Sequence, residues 1–352
     1  MSENFEAQFP LVVGKDKEHE AQWRCLTADI AESYYDKISA ELAEGAVEDA
    51  ARPGLESALL RQGQTRNAEG ILHSPKEPNG TLVIFAPGMP GDSNVWFEKK
   101  HVPVLLEKGY TVFALRHLGT KQESGVRVNT EAGEVDKSSV YINCPERRNI
   151  PEQIGGGDEP QSLEEMALEI AVVINALGGD YKDIKIVNHS AGGVNTHYAI
   201  ASGAIEAKHL SKISSIVNLS PYIGGDDDAY RTFTPDGYYE WAKQFVNMGD
   251  ANTNVALVRR MFQTVYENRS AVPENTMVVS VVPQGDEYVT LKGADRFQEY
   301  FQRGLVIDDK TQSTKYGGEK HDLANLQPDT LLRLIKMQYP KSKHKISVVR
   351  GA

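Results

Sequence analysis

Ile186-Val187-Asn188-His189-Ser190-Ala191-Gly192-Gly193 is the stretch on which the fold turns. Ile184, Ile186 and Val187 form a short β-favouring run that feeds directly into Ser190. Ala191, Gly192 and Gly193 follow at once, and a helix is expected immediately after them. This is the pattern of a sharp strand-to-helix turn with a serine hydroxyl at its tip. Small neighbours are required because two backbone segments approach closely there and the serine itself is strained.

Working outward, the pattern of a layered α/β protein repeats. Gly70–His73 reads as a first strand, Pro78-Asn79-Gly80 as a turn and Thr81–Ala86 as a buried strand. A helix near Trp96–Lys108 ends at Gly109, and Thr111–Leu115 is the next strand. That strand–helix–strand unit implies parallel pairing. Ser162 with Glu165 forms a capping box, and Leu163, Met166, Ile170, Val173, Ile174 and Leu177 carry the helix it opens. Ile184–Asn188, Ile213–Leu219 and Val278–Val282 read as further strands, with helices over 291–302 and Leu331–Met337. Alternation of this length predicts a doubly wound, mostly parallel sheet.

Three regions depart from that rhythm. Residues 20–45 carry Trp23, Leu26, Ile30, Tyr34, Ile38 and Leu42 at spacings of three and four, which predicts a helix. Residues 1–67 are therefore expected to be an N-terminal helical extension, with a second short helix around Leu55–Arg61. Residues 119–160 are polar and glycine-rich without a sustained period, and read as a long insertion, an exposed loop or partial lid. The GGGDEP stretch at 155–160 within it lacks the flanks of a phosphate-binding loop and reads as a linker. Residues 229–270 are a mostly helical block rich in aromatics.

Composition sets bounds. The chain has 352 residues, 40% hydrophobic and 25% charged, which fits one large α/β domain with insertions. A net charge of −11 leaves no basic excess to neutralise phosphates and argues against a nucleic-acid partner. Two cysteines, Cys25 and Cys144, are too few for a disulfide scaffold and fit a cytoplasmic setting. The first twenty residues do not read as a secretory signal, and no apolar run approaches a membrane span. Oligomeric state is not encoded in any pattern of the sequence.

Serine is a weak nucleophile until a base takes its proton, and the base needs an orienting acid. Val281-Val282-Pro283-Gln284-Gly285-Asp286 is a strand, a turn and an aspartate; Gly317-Gly318-Glu319-Lys320-His321 places a histidine in a glycine-rich loop. Ser190, Asp286 and His321 each fall at or beyond the C-terminal end of a predicted strand, the edge where open α/β sheets build their sites. Glu287 and the Asp226-Asp227-Asp228 run compete with Asp286 for the acid, and the aspartate run reads better as a charged loop than as a calcium site.

With these residues the chain resembles the α/β-hydrolase superfamily, whose elbow is G-x-S-x-G and whose triad runs serine, acid, histidine. The resemblance covers roughly residues 68–340. One position departs: Asn188 stands where the first glycine of the elbow is usual, giving N-H-S-A-G. Phe85-Ala86-Pro87-Gly88-Met89-Pro90-Gly91 resembles the H-G-x-P-G loop after the third strand, with Pro87 in place of the histidine. The resemblance implies an oxyanion hole made by the Met89 and Ala191 N–H groups; Pro90 has none to donate.

The resemblance also implies a helical cap over 223–272 on a core of 68–222 and 273–352, a cap that would exclude water from the site. Gly88, His117, His189, Tyr222, Tyr238 and Trp241 are the candidates for lining the substrate pocket. The implied activity is a serine esterase or thioesterase acting on a small-molecule acyl substrate through an acyl-enzyme, with no metal or organic cofactor. The same triad would also serve an acyltransferase, lyase or cyclase of specialised metabolism, and a non-catalytic binding protein on this scaffold ranks below both.

Overall fold

The computed structural model describes residues 11–15, 19–88, 95–117, 162–222, 250–283, 286, 305–309, 321, 323, 326–337 and 349–350. Among them ten strands form one sheet in the order β1-β2-β3-β5-β4-β6-β7-β8-β9-β10. In chain order they are β1 (Leu11–Lys15), β2 (His19–Ala28), β3 (Arg66–Pro75), β4 (Thr81–Ala86), β5 (Thr111–Arg116), β6 (Asp183–His189), β7 (Ile213–Leu219), β8 (Met277–Pro283), β9 (Leu305–Asp309) and β10 (Val349–Arg350). The pairs among β1, β2, β3 and β5 are antiparallel. Every pair from β5 through β4, β6, β7, β8 and β9 to β10 is parallel. This is the α/β-hydrolase fold, with the mostly parallel sheet expected from the sequence.

The helices are α1 (Glu32–Glu44), α2 (Arg52–Leu59), α3 (Val95–Glu107), α4 (Leu163–Leu177), α5 (Gly192–Ala201), α6 (Ala207–Leu210), α7 (Ala251–Glu267) and α8 (Pro328–Lys336). They cover both faces of the sheet, which is why the central strands are apolar without interruption. Leu82, Ile84, Ala86, Ile184, Ile186 and Ile216 join the core under α1, α2, α4, α5 and α7. The alternate residues Val83, Phe85, Val187, Val217, Val279 and Val281 join the core under α3 and α8. Each parallel strand thus sends successive side chains to opposite layers.

The Ser162 N-cap forms: the Glu165 N–H donates to Ser162 Oγ at 3.1 Å and opens α4, while the Glu165 carboxylate pairs with Arg66 and does not return to close a capping box. Helix α4 is buried on almost every side, lying between the sheet and α5 and α7.

Two expectations are corrected. The helix read over residues 20–45 begins only at Glu32; His19–Ala28 is a strand, paired residue for residue with Arg66–Pro75. The three- and four-residue spacing of Trp23, Leu26 and Ile30 was coincidental across a strand–helix junction. Ladder bonds to a partner strand some 45 residues away decided the conformation, and no local pattern reports such a partner. The N-terminal part is therefore an extension of the sheet as well as a pair of helices. Second, α7 lies within the stretch expected as cap, yet it belongs to the core layer. Its Met261 and Phe262 are 0% and 1% exposed within the same cluster as the sheet's isoleucines. The rest of the expected cap, 223–249, the insertion at 119–160 and the helix expected at 291–302 lie outside the described residues. Strands β9 and β10 were not anticipated.

Candidate active site

Ser190 follows the end of β6 with φ +48°, a left-handed conformation that is costly by about 1–2 kcal/mol for a residue with a Cβ. Three hydrogen bonds hold it there. Its N–H donates to Leu219 O at 3.0 Å, and its carbonyl accepts from the N–H groups of Tyr222 at 2.9 Å and Gly193 at 3.0 Å. Beside it, a Cβ on Gly88 would sit 2.7 Å from Ser190 Cβ, so Gly88 admits no side chain without displacement. A Cβ on Gly192 would meet Ala86 O at 2.4 Å and Pro87 O at 2.8 Å. The small residues of the elbow are thus required by the approach of the β4 loop to the β6–α5 turn.

Asn188 has a structural account. It is 0% exposed, accepts from Thr196 Oγ1 at 2.6 Å and donates to Asn218 Oδ1 at 2.7 Å. Asn218 in turn donates to His197 Nε2 at 3.3 Å and to Ser280 Oγ at 3.4 Å. An amide network stitches β6, β7, β8 and α5 together beneath the elbow, in the space a glycine would leave empty. Asn218 also begins an N-L-S glycosylation pattern, and at 0% exposure it is closed to modification in the folded chain.

Asp286 follows the end of β8, its N–H donating to Pro283 O at 3.2 Å. Its side chain is fully buried, and both carboxylate oxygens lie 3.0 Å from His321 Nδ1. A buried carboxylate at that nitrogen holds the proton on Nδ1 and makes Nε2 the basic nitrogen. His321 is itself 7% exposed and precedes the turn that leads into α8. Its backbone carbonyl accepts from His189 Nε2 at 3.0 Å, and the two imidazole centroids are 5.0 Å apart. Asp286 and His321, far apart in the chain, are therefore linked to His189, the residue before Ser190, at one edge of the sheet.

Among the remaining candidates, Ala191 is 2% exposed and starts the turn into α5. Tyr222 touches the elbow through its backbone, while its ring packs edge-on against Phe262 at 5.4 Å. His117, expected to line the pocket, is instead 1% exposed with Nδ1 2.6 Å from Glu169 Oε2. Burial pushes its imidazole down to about 3, against a hydrogen bond to the Pro87 backbone carbonyl that works the other way. His117 thus braces the loop that carries Gly88. Met89, Tyr238, Trp241 and the Asp226–Asp228 run lie outside the described residues.

Glu169, Asn218 and Thr196 were missed in the sequence. Glu169 did carry a signal: a carboxylate in the middle of the apolar helix 163–177 must be paired if that helix is buried. Among the described residues no group of three or more His, Cys, Asp or Glu is placed to hold a metal ion. None of their helices is long and apolar enough to cross a membrane.

The fold and this edge define the class, an α/β-hydrolase architecture. No family model matches the chain, and no curated protein matches it. Among solved structures the chain is similar to Est1E from Butyrivibrio proteoclasticus, at 16% identity and TM-score 0.45 over 77% of this chain and 96% of that one. It is similar to a bromoperoxidase from Bacillus anthracis, at 14% identity and TM-score 0.47 over 78% and 98%. It is also similar to a monoacylglycerol lipase from Paleococcus ferrophilus, at 14% identity and TM-score 0.42 over 67% and 86%.

Proposed function

We propose that the protein is a serine hydrolase that cleaves a carboxylic ester or thioester of a small acyl substrate. Ser190 attacks the carbonyl carbon, and His321 takes its proton and passes it to the leaving group. Asp286 keeps the His321 imidazole in the productive tautomer and stabilises its charged form. The N–H groups of Ala191 and Met89 receive the oxyanion, each worth roughly 3 kcal/mol of transition-state stabilisation. Water activated by His321 then releases the acyl group.

One observation carries the reading. A buried aspartate grips His321 Nδ1 through both oxygens at 3.0 Å, while the same histidine's main chain is bonded to the residue before a strained serine. A structural aspartate–histidine pair has no reason to be tied to an elbow of that kind.

The test is hydrolysis of p-nitrophenyl acyl esters of rising chain length, with a parallel thioester series. The native protein is expected to turn over one of them, and S190A to lose at least about 10³-fold in kcat. Equal rates for native protein and S190A would overturn the reading.

A further inference from the structure

His189 is adjacent to Ser190 in sequence, yet its side chain belongs to a different part of the site. Its Nε2 lies 3.0 Å from the His321 backbone carbonyl, and a carbonyl can only accept, so Nε2 carries the hydrogen. The other nitrogen, Nδ1, is sealed from solvent and has no hydrogen-bond partner among the described residues. It faces the β4 loop, where a Cβ on Gly88 would stand 3.3 Å from it. The imidazole therefore spans three pieces of the edge: the strand that ends in Ser190, the loop at Gly88 and the residue that carries the base. Asp286 orients the His321 ring, and ring and main chain must both be held for Nε2 to meet a hydroxyl.

We propose that His189 is a positioning residue that pins the His321 main chain to the nucleophile strand through a neutral imidazole protonated on Nε2. The groups facing it from the packed elements are His321 and Asp286 on one side and the Gly88 backbone on the other. Burial pushes the His189 imidazole down to about 3, and a charged His321 beside it pushes the same way. The ring thus stays neutral while His321 cycles between its two protonation states. A cationic side chain at this position would repel the imidazolium formed during attack. The orphaned Nδ1 also has a consequence: with its lone pair unsatisfied, the tautomer is fixed by the single bond to His321 O.

The proposal rests on the reading of Ser190 and His321 as nucleophile and base, so S190A is measured alongside. The informative pair is H189Q and H189M. Gln Nε2 stands the same number of bonds from the backbone as His Nε2 and restores the donor; Met keeps comparable bulk without one. Kinetics on the best p-nitrophenyl ester are expected to show H189M with kcat about 30-fold lower and KM within about twofold. H189Q is expected to recover to within about threefold of the native protein, with thermal unfolding of the two variants alike. Equal kcat for H189M and native protein, or equal losses in H189M and H189Q, would overturn the proposal. Full activity in S190A would instead overturn the underlying reading. A second measurement needs no variant: nitrogen-15 spectra of the native protein should show His189 neutral and protonated on Nε2 throughout about pH 5 to 8. A proton on Nδ1 in that range would end the proposal, because Nε2 could not then donate.

Discussion

Asn188 sits where a glycine is usual in this fold, and the substitution that looks like a repair is expected to do harm. N188G would strand Thr196 Oγ1 and Asn218 Oδ1, both in fully buried residues. An orphaned buried polar group costs about 1–3 kcal/mol, so urea unfolding should show N188G less stable by about 2 kcal/mol or more. A stability equal to native would mean the network is incidental. Gly88 makes a second case, in which activity is lost along with stability because the clash falls on the elbow itself. In G88A the new methyl would press on Ser190 Cβ at 2.7 Å and shift the hydroxyl. Displacement of that order at a reacting group costs about 10²-fold in rate, which steady-state kinetics would register. At this scale the pairing of Asp286 with His321 was legible, because a base needs an orienting acid and the two fall at the same edge of the sheet. The partners of Asn188 and His117 were not, since Asn218 and Glu169 reach them only once β7 and α4 are packed in place. His117 looked like a pocket residue because it ends a strand at the right edge; nothing local announces that a carboxylate on another helix claims it.

The helix layer over one face of the sheet is locked by a buried charge cluster. Glu164 on α4 accepts from Tyr34 on α1 at 3.2 Å, from Tyr198 on α5 and from Arg260 Nη1 on α7 at 2.9 Å. Arg260 Nε also donates to Glu41 of α1 at 2.7 Å. Four helices meet at one carboxylate that is 3% exposed. Removing one member leaves the other charge buried and unpaired, so R260M should lose about 3–5 kcal/mol in urea unfolding. A loss below about 1 kcal/mol would show that the cluster contributes little to holding α7 against α4. Strands β4 to β8 could be located from sequence because both of their faces are covered, which leaves an unbroken β-branched run. Strand β2 could not, because its partner β3 follows two intervening helices and its own residues also satisfy a helical spacing. Helix α7 was assigned to a cap for a related reason. An apolar stripe records that a helix is buried, not which layer it is buried against.

For the molecule as a whole, acid should be more damaging than the net charge suggests. His101 and His197 are each 1% exposed, and burial pushes both imidazoles down to about 3. The unfolded chain takes up protons at these sites below about pH 6.5, while the folded chain refuses them until about 3. Their contribution is complete above about pH 6.5 and is lost as pH falls, at about 1.4 kcal/mol per pH unit for each. Urea midpoints should therefore drop steeply between about pH 6.5 and 5, ahead of carboxylate titration. A flat profile over that interval would mean these imidazoles titrate normally in the folded state. The central claim, a serine nucleophile activated across one edge of the sheet, is tested most directly by locating its covalent adduct. Intact protein is treated with a fluorophosphonate, digested, and the modified residue mapped by mass spectrometry in native protein, H321A and S190A. The account predicts one phosphonate on Ser190, formed far more slowly in H321A and absent in S190A. An adduct elsewhere, or one that persists at the native rate in S190A, would contradict it.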